Sequence, residues 1–203
     1  MKEFISLFLL FLLASCTETH TFTDACDVGD CKLPGSFVYD KSKDVYTLTG
    51  AGANMWARTD EFFMVWKEIS GDFTISARIA FEGEGVNAHR KMGLIIRTSL
   101  EPDAQYADVA VHGDGLTSLQ YRREKGATTE ELVSDNKMPD HIILERKGNK
   151  ISMKTGIGRY SEQPDATLVL DFPQKCYVGL FICSHEVDVL ETGYFSEVRL
   201  NHN

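Results

Sequence analysis

The 203-residue chain contains no Asn-x-Ser/Thr acceptor, no run of lysine and arginine, and no second long apolar stretch after its first sixteen residues. With no sequon, glycosylation gives no hint of a eukaryotic secretory route. The missing basic run, with a formal net charge of −9, argues against nucleic acid, which needs cations tracking a phosphate backbone. The acidity also disfavours a broad polyanion-binding surface but leaves room for a local arginine pocket. Nothing after the leader is apolar enough to cross a membrane. There is no H-E-x-x-H, no G-x-S-x-G elbow, no phosphate-cradling glycine loop and no dinucleotide fingerprint. The six histidines are scattered, and Asp24, Asp27 and Asp30 lack the spacing of a calcium loop. Neither metal nor cofactor is predicted. No segment carries a helical apolar stripe over three turns, and no internal repeat is present.

What is there begins with MKEFISLFLLFLLASC. Lys2 supplies a basic start, and Phe4 to Leu13 form an apolar run too short for a permanent span of about 20 residues. Leu13-Ala14-Ser15-Cys16 resembles a bacterial lipobox, a signal cut before the cysteine and acylated there. Each buried methylene contributes about 0.8 kcal/mol, so two or three acyl chains make attachment nearly permanent. The expected organisation is a signal peptide over 1–15, a lipidated tether over 16–34 and one folded domain over 35–203. It places the protein at a bacterial cell envelope, on the periplasmic or the surface side, touching the membrane through its lipid anchor alone.

Four of the five cysteines remain once Cys16 carries lipid. In an oxidising compartment an even number suggests disulfides. Cys26 and Cys31 enclose the short turn DVGD and could close on each other; the alternative is four free thiols. Cys176 and Cys183 lie seven apart on an apolar strand, roughly 23 Å by the strand rise and on opposite faces, too far to pair.

From Gly35 onward the chain is a succession of short alternating runs and turns. SFVYD and VYTLT flank KSKD, a hairpin pattern. In FTISARIAF, Phe73, Ile75, Ala77, Ile79 and Phe81 share one face. GLIIR, YADVAVH, TSLQYRR, HIILERK, KISMKT, TLVLDF, YVGLFICS and YFSEVRL follow, many separated by SGD, EGEG, HGDG or KGN. Many strands at short intervals imply an all-β sandwich or barrel.

The order NMWARTDEFFMVWKEISGDFTISARIAF, KMGLIIRTSLEPDAQYADVAV, SLQYRR, HIILERKGNKISM, YVGLFICSH and YFSEVRL resembles a largely bacterial family of concanavalin A-like sandwich domains, described as enolase-regulation-protein-like or of unknown function. The likeness covers about residues 36–200. Its most specific pieces are Trp56, Asp60 and Phe62 in W-x-x-x-D-x-F, the SGDFTI block, the run from Gly93 to Leu100, and Ser184-His185. It implies a jelly roll of two antiparallel sheets, a fold shared by lectins and some glycosidases, and fold alone does not set function.

Two constellations bear on chemistry. EVDVLE resembles the carboxylate signature of laminarinase-type hydrolases, in which one acid is nucleophile, one is acid/base and the middle one tunes them. Here Glu186 and Asp188 would share a strand face, and Glu191 would join only through a bulge. The motif lies close to the C-terminus, its flanks depart from the hydrolase pattern, and the family likeness places it in a loop entering the last strand. The second set is Arg97, Gln120, Arg122 and His185, polar residues on strand faces that could hydrogen-bond hydroxyls or a carboxylate. They could equally be solvated, or paired internally with Glu145 or Asp108. Trp56 follows the loop GAGAN and could stack on a sugar ring, whereas Trp66 sits on a strand apolar on both faces and reads as core. The expectation is a non-catalytic, lectin-like domain binding glycan or another envelope ligand. The alternatives are a glycoside hydrolase, or a structural domain with an exposed apolar docking patch.

Overall fold

The computed structural model describes residues 21–202; the expected signal peptide and the expected lipidation site Cys16 lie outside them. The described chain contains no helix and forms fourteen strands. These are β1 (Asp24–Val28), β2 (Ser36–Asp40), β3 (Val45–Gly52), β4 (Phe62–Ser70), β5 (Phe73–Phe81), β6 (Lys91–Arg97), β7 (Tyr106–His112), β8 (Thr117–Arg122), β9 (Glu130–Val133), β10 (His141–Lys147), β11 (Lys150–Gly156), β12 (Ala166–Val169), β13 (Lys175–Cys183) and β14 (Glu186–His202). Two seven-stranded sheets result: a front sheet in the order β1-β4-β13-β6-β7-β8-β9, and a back sheet in the order β12-β11-β10-β5-β14-β3-β2. All pairings are antiparallel, which gives the jelly-roll sandwich that the strand pattern predicts.

The main core is what alternation dictates. On β5, Phe73, Ile75, Ala77 and Ile79 point between the sheets. They meet Met92, Leu94 and Ile96 of β6, Val109 and Val111 of β7, and Val178, Leu180 and Ile182 of β13. Each large side chain so buried contributes about 1.5–3 kcal/mol. The outer face of the front sheet departs from simple alternation, because every residue of β6, β7 and β8 is buried. A second apolar cluster covers part of that face, with Met55, Phe62, Met64, Ile95, Tyr106 and Phe181 at its centre. Met55 belongs to the loop between β3 and β4, which folds down over the sheet.

Three expectations need correction. The supposed tether of 16–34 contains β1, paired with β4, and Phe22 is buried against the Tyr46 ring. The sandwich therefore starts well before residue 35: a lone aromatic and a five-residue strand suffice to dock a segment whose composition is polar. The EVDVLE stretch opens β14 and is not a loop; its ladder with β3 shifts register between Glu186 and Glu191. Finally, Cys26 and Cys31 are both free thiols. Cys26 packs with Trp66 on the outer face of β1 and β4, while the Cys31 thiol turns back to the Val28 carbonyl at 3.5 Å. Burial, reinforced by Asp27 and Glu61, pushes the Cys31 thiol up to about 12. Cys176 and Cys183 do lie on opposite faces, one in each cluster.

Candidate ligand-binding site

The front sheet's outer face divides into two regions. Toward one end, Arg97 on β6 and Arg122 on β8 are wholly buried. Arg122 grips both oxygens of Asp60, at 2.7 and 2.8 Å, and Arg97 donates to the same carboxylate at 2.8 Å. Further bonds from the guanidinium nitrogens go to backbone carbonyls of Ser99, Glu101, Ala104 and Ala127. Both guanidinium groups lie over the Tyr106 ring. These two arginines are therefore not the hydroxyl donors that strand alternation suggests: wholly buried under the β3–β4 loop, with a partner on every guanidinium nitrogen, they lie out of a ligand's reach. Their internal counter-ion is Asp60, not Glu145 or Asp108. The W-x-x-x-D-x-F block carries that acid in plain view, but its pairing spans 37 and 62 residues.

The network has a structural consequence. Ala57 sits in the left-handed region, with φ of 58°. Its carbonyl accepts from Arg122 Nη2 at 3.3 Å and from the Thr129 backbone N–H at 2.8 Å. Tyr106 Oη donates to the Met55 carbonyl at 3.0 Å. Asp60, Arg122 and Tyr106 thus pin the loop on both sides of Trp56. At the loop's start Gly52 is irreplaceable: with φ of +128°, a Cβ there would lie 2.0 Å from the Glu61 carbonyl oxygen.

Toward the other end the face is open. A pocket of about 260 Å³ is lined by Asn54, Trp56, His89, Lys91, His112, Leu116, Gln120, Glu131 and His185. It unites three of the five expected binding residues, Trp56, Gln120 and His185, and excludes Arg97 and Arg122. Trp56 is 38% exposed, and its loop places it at the rim. Gln120 lies directly across the ladder from Asp108 on one side and Glu131 on the other. Gln120 Oε1, Glu131 Oε2 and both carboxyl oxygens of Asp108 are buried without a hydrogen-bond partner. Burial pushes the Asp108 carboxyl well up, toward its neutral form, against the opposing field of Lys91.

Three imidazoles gather at the Lys91 end. His112 is the ladder partner of Lys91. His89 stands 6.3 Å from His112 and 5.5 Å from His185, ring centre to ring centre. Burial first and Lys91 second hold His112 down to about 4 and depress His185 as well. His185 adopts φ of 62°, a conformation that costs a non-glycine residue about 1–3 kcal/mol and clusters at binding sites. Among the described residues no group of three or more His, Cys, Asp or Glu is arranged to hold a metal. Lys91 and the histidines at 89 and 112 were missed from sequence, because nothing local shows that a β5–β6 loop and three strand ends converge.

The acids of EVDVLE meet three different partners. Glu191 is buried and paired with Arg90 at 2.6 Å. Glu186 accepts from Asn87 Nδ2 at 2.8 Å, and Asp188 pairs with Lys32 in solvent. Larger cavities lie elsewhere. One of about 450 Å³ opens between the sheets with mostly apolar walls such as Ile79, Phe81 and Met92. Another, of about 620 Å³, lies beside the turn after β11. Neither has the first pocket's combination of an aromatic rim and a floor row of unpaired buried polar atoms.

No protein-family model and no curated protein matches the chain. Solved structures do match. A functionally unknown protein from Saccharomyces cerevisiae aligns over 83% of this chain and 96% of its own, at 12% identity and a TM-score of 0.61. The carbohydrate-binding module CBM66 from Bacillus subtilis aligns over 89% and 97%, at 13% identity and a TM-score of 0.57. A β-glucanase from Bacillus licheniformis aligns over 92% and 95%, at 12% identity and a TM-score of 0.55. At such identities the likeness establishes the fold, a concanavalin A-like jelly roll, and binding modules and enzymes alike are built on it.

Proposed function

We propose that this protein binds glycan without chemistry, displayed at the bacterial cell envelope on an acylated Cys16, and that it is related to the enolase-regulation-protein-like sandwiches. One observation carries the binding half. Polar atoms of Gln120 and Glu131 are buried and unpaired at a pocket with a half-exposed tryptophan on its rim. An unsatisfied buried polar atom costs about 1–3 kcal/mol. A polyhydroxylated ring offers donors and acceptors to such atoms while its apolar face stacks on indole. That the carbohydrate-binding module and the glucanase share the fold is consistent with this reading. The separate engagement of Glu186, Asp188 and Glu191 supports binding over hydrolysis, since a retaining pair needs two carboxyls about 5–5.5 Å apart in one cleft.

The test is calorimetric titration of the full chain with a panel of neutral and acidic polysaccharides. At least one should bind, and Trp56→Ala should weaken it tenfold or more with no reducing ends released by the wild type. Silence across the panel removes the binding reading, and release of reducing ends removes the non-catalytic one. Mass spectrometry of the mature N-terminus checks the anchor; an unmodified Cys16 overturns it.

A further inference from the structure

The glycan reading leaves the charge of the sugar open, and the pocket's own charges bear on it. Lys91 is a buried cation, 2% exposed, that lines the pocket. Its ammonium carries three donors. One goes to a neutral amide, Asn54 Oδ1 at 3.2 Å, and no carboxylate among the described residues forms an ion pair with it. Burying a charge without a partner costs several kcal/mol, so an unpaired lysine at the bottom of an open pocket is costly unless an anion arrives.

The groups around Lys91 do not supply that anion. His112 on β7 and His185 after β13 flank it, and the His89 ring lies against both of theirs. All three are bases, not acids. Asp108, two turns of the pleat further along β7, is driven toward its neutral form by burial. Glu131, the acid that lines the pocket, stands on β9. Three strand spacings separate β9 from β6, roughly 14 Å at 4.8 Å each. Cation and acid therefore occupy opposite ends of the pocket, with Gln120 between them.

We infer that the site takes an acidic saccharide, its anionic substituent on Lys91 among the three imidazoles and its hydroxyls toward Gln120 and Glu131. The inference rests on the glycan-binding reading and adds the substrate class to it. The anion is a carboxylate or a sulfate ester, since an ammonium accepts either as a point charge. An acidic ligand also fits a protein with net charge −9 only through such a local cationic end, so binding is expected to weaken as salt rises.

The experiment compares matched pairs on the full chain: oligogalacturonate against its carboxyl-reduced form, and a sulfated galactan oligosaccharide against its desulfated form. The acidic member of one pair should bind at least tenfold more tightly, and which pair does so identifies the anion. Lys91→Met should bring that ratio to within about twofold. Equal affinity for acidic and neutral members overturns the inference and leaves glycan binding intact. Binding of neutral sugars with rejection of both acidic ones overturns it too. A preference that survives in Lys91→Met refutes the role given to Lys91. Should that variant fail to fold, the wild-type ratio and Lys91→Gln decide. Failure to bind any member, together with silence across the wider panel, disposes of the parent reading as well.

Discussion

Arg97 and Arg122 at one end of the front sheet's outer face, and Lys91 and Gln120 at the other, occupy equivalent positions. All four are polar, all lie on β6 or β8, and all are at most 2% exposed. The first pair has the Asp60 carboxylate as counter-ion and a partner on every guanidinium nitrogen, whereas Lys91 has a single amide partner and Gln120 keeps an unpaired oxygen. What separates them is the β3–β4 loop, which lays Met55 and Asp60 on one region and lifts Trp56 to the rim of the other. A polar residue on a strand face is thus a structural or a ligand-binding group according to what covers it. Burial alone does not distinguish the two; an internal charge partner and a covering loop do.

The sharpest way to break this contrast is to remove the counter-ion. Asp60→Ala leaves two buried guanidinium groups facing each other and frees the loop that carries Trp56. Loss of one partner from a buried network typically costs about 3–5 kcal/mol. Chemical denaturation should report a loss of that size, with glycan affinity falling alongside. A loss below about 1 kcal/mol would mean that the network holds nothing in place.

The same contrast explains what could be read in the chain. The period-two pattern of FTISARIAF predicts its buried face correctly. Alternation is a local property and survives folding. Coverage is not local. Asp60 lies 62 residues from Arg122, and the Lys91–His185 convergence joins β6 to the end of β13. Nothing in either segment announces the other. The short β1 was hidden for a related reason: DACDV is polar, and its docking depends on Phe22 and the exposed edge of β4.

A smaller effect tests the open end through its protons. His112 is held down to about 4, chiefly by burial and next by Lys91. In the unfolded chain it takes up a proton near its ordinary value of 6.5, whereas the folded chain refuses it until about 4. The unfolded state therefore binds more protons across that window, and His112 makes the fold lose stability as pH falls from about 6.5 to 4. At 1.36 kcal/mol per unit the loss reaches at most about 3 kcal/mol. Asp108 works in the opposite sense, because its raised carboxyl favours the protonated fold and costs stability as pH rises. The two are separated by difference. His112→Gln should remove the acid-side loss relative to wild type, measured as urea midpoints between pH 7 and 4. Parallel pH curves for the two proteins would place the imidazole in solvent and dissolve the buried, cationic end of the pocket.

The smallest expected effect concerns the turn that follows β1. Cys26 faces the outer cluster beside Trp66, and Cys31 contacts the Val28 carbonyl, both as thiols. With no covalent loop to open, dithiothreitol should leave the melting temperature unchanged. Cys31→Ser should cost under about 1 kcal/mol, since it exchanges one weak donor for another of similar size at a half-buried site. A disulfide across the intervening DVGD would behave differently: even a short loop confers a few kcal/mol, and reduction would lower the melting temperature visibly. A fall on reduction in the wild type but not in Cys31→Ser would mean that β1 is stapled, not merely packed, and that the strand's hold on β4 owes less to Phe22 and the ladder than the thiol form implies.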